Sequence, residues 1–197
     1  MIVDRSMAEA MVYGGAVLGG GGGGSLDEGL RLAGLAVELG SPHIISLDRL
    51  EPDDLVVTVS LVGAPAALGG SVNPMDYVRS LEMLISAMDR KPVWLIQNEM
   101  GGLASANGLI QSAVVGLPLV DAPCNGRAYP LSVMGSMGLH KRPDYVAMHA
   151  ACGGDPKAGR QIEVLVKGGV DQCAAIIQMT AVEAGGLALE MPLAERR

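Results

Sequence analysis

Phenylalanine is absent from this 197-residue sequence, tryptophan occurs once and tyrosine four times. A core built without large rings must be filled by small and flexible aliphatic groups with closely packed backbones, and 28 glycines and 12 methionines supply the material for it. Positive charge is also scarce. Lys and Arg number 14 against 21 Asp and Glu, a net charge of −7 without a basic run, which excludes a nucleic acid or an anionic membrane surface as the partner. The three cysteines, Cys124, Cys152 and Cys173, are an odd number at wide spacing; they argue against a disulfide framework and for a reducing, cytoplasmic setting. No apolar stretch reaches about 18 residues without a glycine or a charge, so no membrane span is expected. The start, Met1-Ile2-Val3-Asp4-Arg5, lacks the basic flank and long apolar core of a signal peptide. At this length, with 49% hydrophobic residues, one well-buried domain covering 1–197 is expected rather than two.

What the sequence does have is glycine in a block: six in a row at 19–24, followed by Ser25-Leu26-Asp27-Glu28. Each glycine inside a helix or strand costs roughly 0.5–1 kcal/mol relative to alanine, so the run is a turn or a site. Ser25-x-x-Glu28 is a capping box, and Leu26, Leu30, Ala33 and Val37 then recur at helical spacing until Gly40 and Pro42. The segment before the run, 7–18, favours a helix, although Val12-Tyr13 and Gly14-Gly15 leave a strand open. Beyond it the pattern alternates. Strands are predicted over 43–47, 55–62, 92–96, 119–121, 145–148 and 162–166, and helices from Pro74 to about Met88, from about Ser105 to Val115, and over 170–183. This alternation predicts an α/β fold, a three-layer α/β/α arrangement with a mostly parallel sheet, in which ligands bind where strands end. Three polar or glycine-rich loops fall there: after Val62, at 98–102, and at 121–130. The last residues, 194–197, are expected to fray.

The glycine run invites a phosphate-binding reading, but any polyglycine matches such patterns. A P-loop needs a lysine directly after the glycines, and the first lysine is Lys91. A dinucleotide-binding turn needs a preceding strand and a ribose-binding acid, for which Asp48 stands near the right distance; that alternative stays open. Against any anion, Ser25, Asp27 and Glu28 already occupy and oppose the positive end of the following helix. Gly20, Gly21, Gly22, Gly23 and Ser25 therefore read as one wall of a crevice for a neutral ligand, or as the close approach of another loop.

Asn98-Glu99-Met100-Gly101-Gly102 lies where a strand hands over to a helix. Glu99 there is a candidate general base, its pKa raised by burial; the alternative is a carboxylate that shapes the turn by accepting backbone N–H groups. Asn98, Gly101 and Gly102 join it as ligand-binding candidates. Asp121-Ala122-Pro123-Cys124-Asn125-Gly126-Arg127-Ala128-Tyr129-Pro130 is the densest polar stretch. Asp121 and Arg127 are read as a pair that leaves Arg127 to orient a carbonyl or a carboxylate, with Cys124 either a lowered-pKa thiol beside the guanidinium or an inert buried one, and Asn125 and Gly126 alongside. His149-x-x-Cys152 and His140 lack metal-ligand spacing, and Ser105 and Ser136 lack a placed histidine, so neither a metal, a cofactor nor a serine hydrolase is expected.

Ala16-Val17-Leu18-Gly19 with the glycine run, Asn98-Glu99-Met100-Gly101-Gly102, and Gly116-Leu117-Pro118-Leu119-Val120-Asp121-Ala122 followed by Gly126-Arg127-Ala128-Tyr129-Pro130 together resemble the N-terminal domain of the DUF917 family, associated with S-methyl thiohydantoin desulfurase. The resemblance spans about 8–140 and leaves 141–197 divergent. It implies a hydrolase that cleaves the C–S bond of a small, neutral, cyclic substrate, releasing methanethiol and leaving hydantoin. Glu99 or Asp121 would be the base and Arg127, with backbone N–H groups, the electrophilic holder. The family pattern also has Asp-Gly where Pro123-Cys124 stand, an acid in place of Leu131, an Asn near Leu103-Ala104-Ser105, and a second, β-rich domain beyond this length. A non-catalytic subunit or small-molecule binding module that completes its site with a partner chain is the contrasting expectation, and the partners expected are a homo-oligomer or a partner subunit.

Overall fold

In the structure, a computed structural model, the segment left between helix and strand is a helix. It is α1 (Arg5–Leu18), opened by Asp4, whose carboxylate accepts the Met7 N–H at 2.9 Å. Ser25 opens α2 (Leu26–Leu39), its hydroxyl accepting the Glu28 N–H at 3.4 Å, while the Glu28 carboxylate turns to Arg31 at 2.8 Å. The chain continues through β1 (Ile44–Ile45), β2 (Val56–Gly63), α3 (Pro74–Ser86), β3 (Trp94–Gln97), α4 (Leu109–Val115), β4 (Leu119–Pro123), β5 (Ala147–Gly153), β6 (Ile162–Gly168), α5 (Val170–Glu183) and β7 (Leu187–Ala194). The structure describes residues 1–63, 72–129, 137–185 and the backbone of 187–194. The 64–71 part of the loop after β2, Pro130, Leu131, Ser136 and residues 195–197 lie outside the described residues.

The helix expected from Ser105 to Val115 is divided. A 3-10 turn at Ala104–Ala106 precedes Gly108, which takes φ 96°, and α4 starts after it.

The seven strands form one sheet in the order β1-β4-β3-β2-β7-β5-β6. The pairs β1–β4, β4–β3 and β3–β2 are parallel; β2–β7, β7–β5 and β5–β6 are antiparallel. Because β7 reverses between β2 and β5, those two point the same way, and five of the seven strands share one direction. Helices cover both faces. On one, α1 packs on α2, α2 on α4 and α4 on α3, and Leu32, Leu81 and Leu109 from these helices meet Val57, Leu95 and Leu119 of the strands. Each of those leucines is almost fully removed from water, which stabilises by about 1.5–3 kcal/mol per side chain. On the other face, α5 covers the antiparallel half, setting Ile177 and Ala181 against Val62 and Ala151. The α/β/α layering read from the alternating pattern is present. Among the described residues no helix is long and apolar enough to cross a membrane.

Candidate functional site

The parallel strands carry two of the three candidate loops side by side. The Asn98 N–H donates to Val59 O at 3.0 Å, which extends β3 along β2 by one step. From there 98–100 runs beside 124–127: Cys124 N–H donates to Gln97 O, Asn125 N–H to Asn98 O and Met100 N–H to Gly126 O, each at 2.8 Å. The Asn125 side-chain amide donates to Asn98 Oδ1 at 2.9 Å and locks the two asparagines together. The turn is buttressed from below by Gln97, whose Nε2 donates to Ser105 O at 2.6 Å and to Asn107 O at 3.0 Å.

The glycine run lies on this pair of loops, and it joins two helices, α1 and α2, rather than a strand to a helix. The strand–turn–helix context required for a dinucleotide is therefore not there, and Asp48, in a 3-10 turn, accepts the Ser46 hydroxyl at 3.3 Å. Gly23 O accepts the N–H groups of Leu103 at 3.0 Å and Ala104 at 2.8 Å. Gly23 and Gly101 meet backbone to backbone: a Cβ on Gly23 would stand 2.5 Å from Gly101 Cα and 2.9 Å from Met100 O, and Gly23 adds φ 77°. A Cβ on Gly22 would stand 2.7 Å from Ala128 Cβ, and one on Gly102 2.9 Å from Gly24 O. Gly20 and Gly21, in contrast, are exposed, with open space beside them. The run is thus selected chiefly by the approach of the 100–104 loop, and Ser25 is used as the cap of α2.

Gly22, Gly23, Asn98, Glu99, Gly101, Gly102, Cys124, Asn125, Gly126 and Arg127 fall in one cluster. Glu99 is half-buried, and burial raises its pKa above 4.5, partly offset by the Tyr129 N–H that its carboxylate accepts. Arg127 is exposed, with its backbone bridged to Met100 and no ion pair among the described residues. Asp121 does not join it. The register of β4 against β3 shifts between Ile96↔Val120 and Gln97↔Pro123, so Asp121 lies in a bulge and lines a separate cavity of about 570 Å³ with Ile45, Arg49 and Trp94. The pairing of Asp121 with Arg127 is corrected by that bulge.

Cys124 is buried, and burial pushes its thiol pKa up, only partly offset by Thr58, whose hydroxyl lies 3.7 Å from the sulfur. The lowered-pKa thiol is corrected, and the inert buried one is what the fold contains. Cys124 and Thr58 lie under a cavity of about 620 Å³ on the face of the parallel half that α5 leaves open, with Leu47, Leu50, Val56 and Ile96 among its walls. His149 and Cys152, three residues apart on β5, point to opposite faces of the sheet. Among the described residues no group of three or more His, Cys, Asp or Glu is placed to hold a metal.

One polar network escapes sequence reasoning. Asp76, in the first turn of α3, accepts the Asn73 N–H at 2.9 Å, the Cys152 S–H at 3.2 Å and a Gln161 Nε2–H at 3.0 Å. An acid two residues after a helix-opening proline signals the cap; nothing in the sequence signals partners from β5 and the β5–β6 connection.

The model of the S-Me-THD-like N-terminal domain family matches residues 6–162. No curated protein matches the chain. Among solved structures, the chain is similar to the crystal structure of a protein from Chromobacterium violaceum, with a TM-score of 0.70 and 21% identity over 99% of this chain. It covers 55% of that protein, so the chain spans about half the length of its structural neighbour, and the likeness speaks to the fold. The family match takes in the glycine run, the Asn98–Glu99 turn and the loop from Asp121 to Tyr129, the segments that the fold stacks at the strand ends, and the chain belongs to the S-Me-THD-like family through its N-terminal domain.

Proposed function

We propose that the chain carries a hydrolytic site for a small cyclic amide of the S-alkyl thiohydantoin type, with Glu99 as the base. The observation that carries this reading is the environment of Glu99, a half-buried carboxylate with a raised pKa at the end of β3, beside the Asn98–Asn125 amide pair. A carboxylate of raised pKa takes and returns a proton near neutral pH more readily than an exposed one. The absence of a lysine from the glycine run and the acids at the start of α2 disfavour a phosphate, which agrees with a neutral ring.

In the proposed reaction Glu99 takes one proton from water as the oxygen bonds to the ring carbon that bears sulfur. The π electrons of the C=N bond move onto the ring nitrogen, toward which Arg127 and loop N–H groups donate. Collapse of the intermediate forms the C=O bond and breaks the C–S bond. The thiolate leaves with the proton held by Glu99, and the remaining hydroxyl proton passes to the ring nitrogen, so one water is consumed and one thiol and one hydantoin are released.

Thiol titration with a series of S-alkyl thiohydantoins tests it. The expected result is one thiol per substrate for the wild type, none for Glu99→Gln although that variant stays folded, and a raised KM for Arg127→Ala. No thiol from any member of the series, together with no thermal shift on adding hydantoins, sinks the enzyme reading. The exposure of Arg127 and of Gly20 and Gly21, with open space beside those glycines, favours as second reading a binding subunit whose site is completed by a partner; co-purification of a second chain that restores thiol release selects it.

A further inference from the structure

The two edges of the sheet are built differently. β1 is two residues long, follows Pro42 and leaves little to pair with; β6 is seven residues long, and among the described residues it is paired on one side alone, with β5. Native sheets blunt a long edge with charge, proline, a bulge or a cover; β6 has no proline, keeps an unbroken register with β5 from Ile162 to Gly168, and carries two charges of opposite sign, Glu163 and Lys167, which repel a like-charged strand but not a complementary one. Its sequence, Ile162-Glu163-Val164-Leu165-Val166-Lys167-Gly168, is also symmetric in charge, with an acid two residues before Leu165 and a base two residues after it.

We propose that β6 is the contact through which two copies of this chain associate, pairing antiparallel about Leu165 so that the sheet continues from one copy into the other. With Leu165 opposite Leu165 of the second copy, Glu163 of each stands opposite Lys167 of the other, and Val164 opposite Val166. Such a pair is isologous, one patch used twice, and closes as a dimer. Glu163, Leu165 and Lys167 alternate to the exposed face of the strand, where Leu165 is 48% exposed, while Val164 and Val166 pack toward α5. Glu163 is already oriented by Arg79, whose guanidinium donates to both carboxylate oxygens at 2.8 and 2.9 Å. Lys167 forms no ion pair among the described residues, so it is the charge that the partner strand answers. The two-fold axis stands perpendicular to the sheet, which puts both copies of α5 on the same face. That helix packs on β5 and β6 and on β2 and β7. A basic or neutral partner strand would leave one member of the Glu163/Lys167 pair facing a like or absent charge, and a second copy satisfies both. The proposal is independent of the chemistry at Glu99.

Sedimentation equilibrium of the full chain tests it with two charge reversals. The wild type is expected to be a dimer; Lys167→Glu and Glu163→Lys, each placing like charges opposite one another twice, weaken association roughly tenfold or more. An equimolar mixture of the two variants restores both opposite-charge pairs and is expected to dimerise again. A wild-type monomer at high micromolar concentration, variants that remain as dimeric as the wild type, or a mixture that stays monomeric overturns the proposal. Leu165→Cys reads the register without altering charge: the new thiols face one another across the axis at a Cβ separation of about 5 Å, within reach of a disulfide after modest adjustment. Mild oxidation is expected to yield a covalent dimer, and its failure to form overturns the register.

Discussion

Glu99 and Asp76 are carboxylates of neighbouring sheet segments, one just beyond β3 and the other in the helix that follows β2, and they are partnered unequally. Asp76 is 5% exposed and its two oxygens accept from Asn73, Cys152 and Gln161. Glu99 is half-buried and receives the Tyr129 N–H, which offsets burial only in part, so its charged form stays disfavoured. A carboxylate whose lone pairs are filled by the fold holds α3, β5 and the β5–β6 connection in place. One that is desolvated but underserved has capacity left for a proton or a substrate.

The largest effect that tests this contrast is on Asp76. Asp76→Ala removes the N–H acceptor at the start of α3, leaves the buried Cys152 thiol without its acceptor and breaks the tie to Gln161, and is expected to cost about 3 kcal/mol in urea unfolding. If Glu99→Gln costs as much, the contrast is broken. Next comes the support beneath Glu99. Gly101→Ala drives a Cβ into the backbone of Gly23, where no flexible side chain can yield, with an expected cost of about 1–3 kcal/mol and weaker turnover for any substrate that the site accepts.

The third test is on pH. Glu99 has a folded pKa above its ordinary 4.5, so the neutral acid is favoured in the native state and the penalty for charging it is absent below that value. As pH rises through the raised folded value, the wild type is expected to lose stability relative to Glu99→Gln, measured as a growing difference in Tm, while base-catalysed thiol release rises over the same window. A difference that shrinks instead reverses the sign and defeats the assignment. The smallest effect is chemical. All three cysteines are buried, burial raises the Cys124 pKa, and that of Cys152 is pushed up to about 12, chiefly by burial and then by the Asp76 carboxylate. The native protein is expected to show almost no thiol titration at neutral pH, with three thiols appearing on unfolding.

Much of the scaffold was legible because its signals are local. Ser25 caps a helix, Pro74 opens one, and the apolar runs at 55–62 and 92–96 are strands buried in the sheet. The glycine run was legible as a turn or a site, a ligand wall or the close approach of another loop, and the contact of Gly23 with Gly101 is such an approach. What sequence reasoning missed is non-local. β7 went unassigned because Leu187-Ala188-Leu189-Glu190-Met191-Pro192 has helix-forming residues and a proline; pairing on both sides, with β2 and β5, overrides propensity. The Asp121–Arg127 pair failed because linear spacing does not reveal a bulge, and the Cys152–Asp76 bond because 76 residues separate its ends.

The insertion of β7 has a consequence for how the chain is made. Val56 pairs with Ala194 and Gly63 with Leu187, so β2 emerges from the ribosome long before the strand that completes its second side. Throughout that interval the parallel half presents a raw hydrogen-bonding edge along β2, and the closing contact has a high contact order, which makes it slow. Assembly of the nascent chain is therefore gated by residues 187–194, and crowding or a stalled ribosome before they appear favours pairing of β2 with another chain over completion of its own sheet.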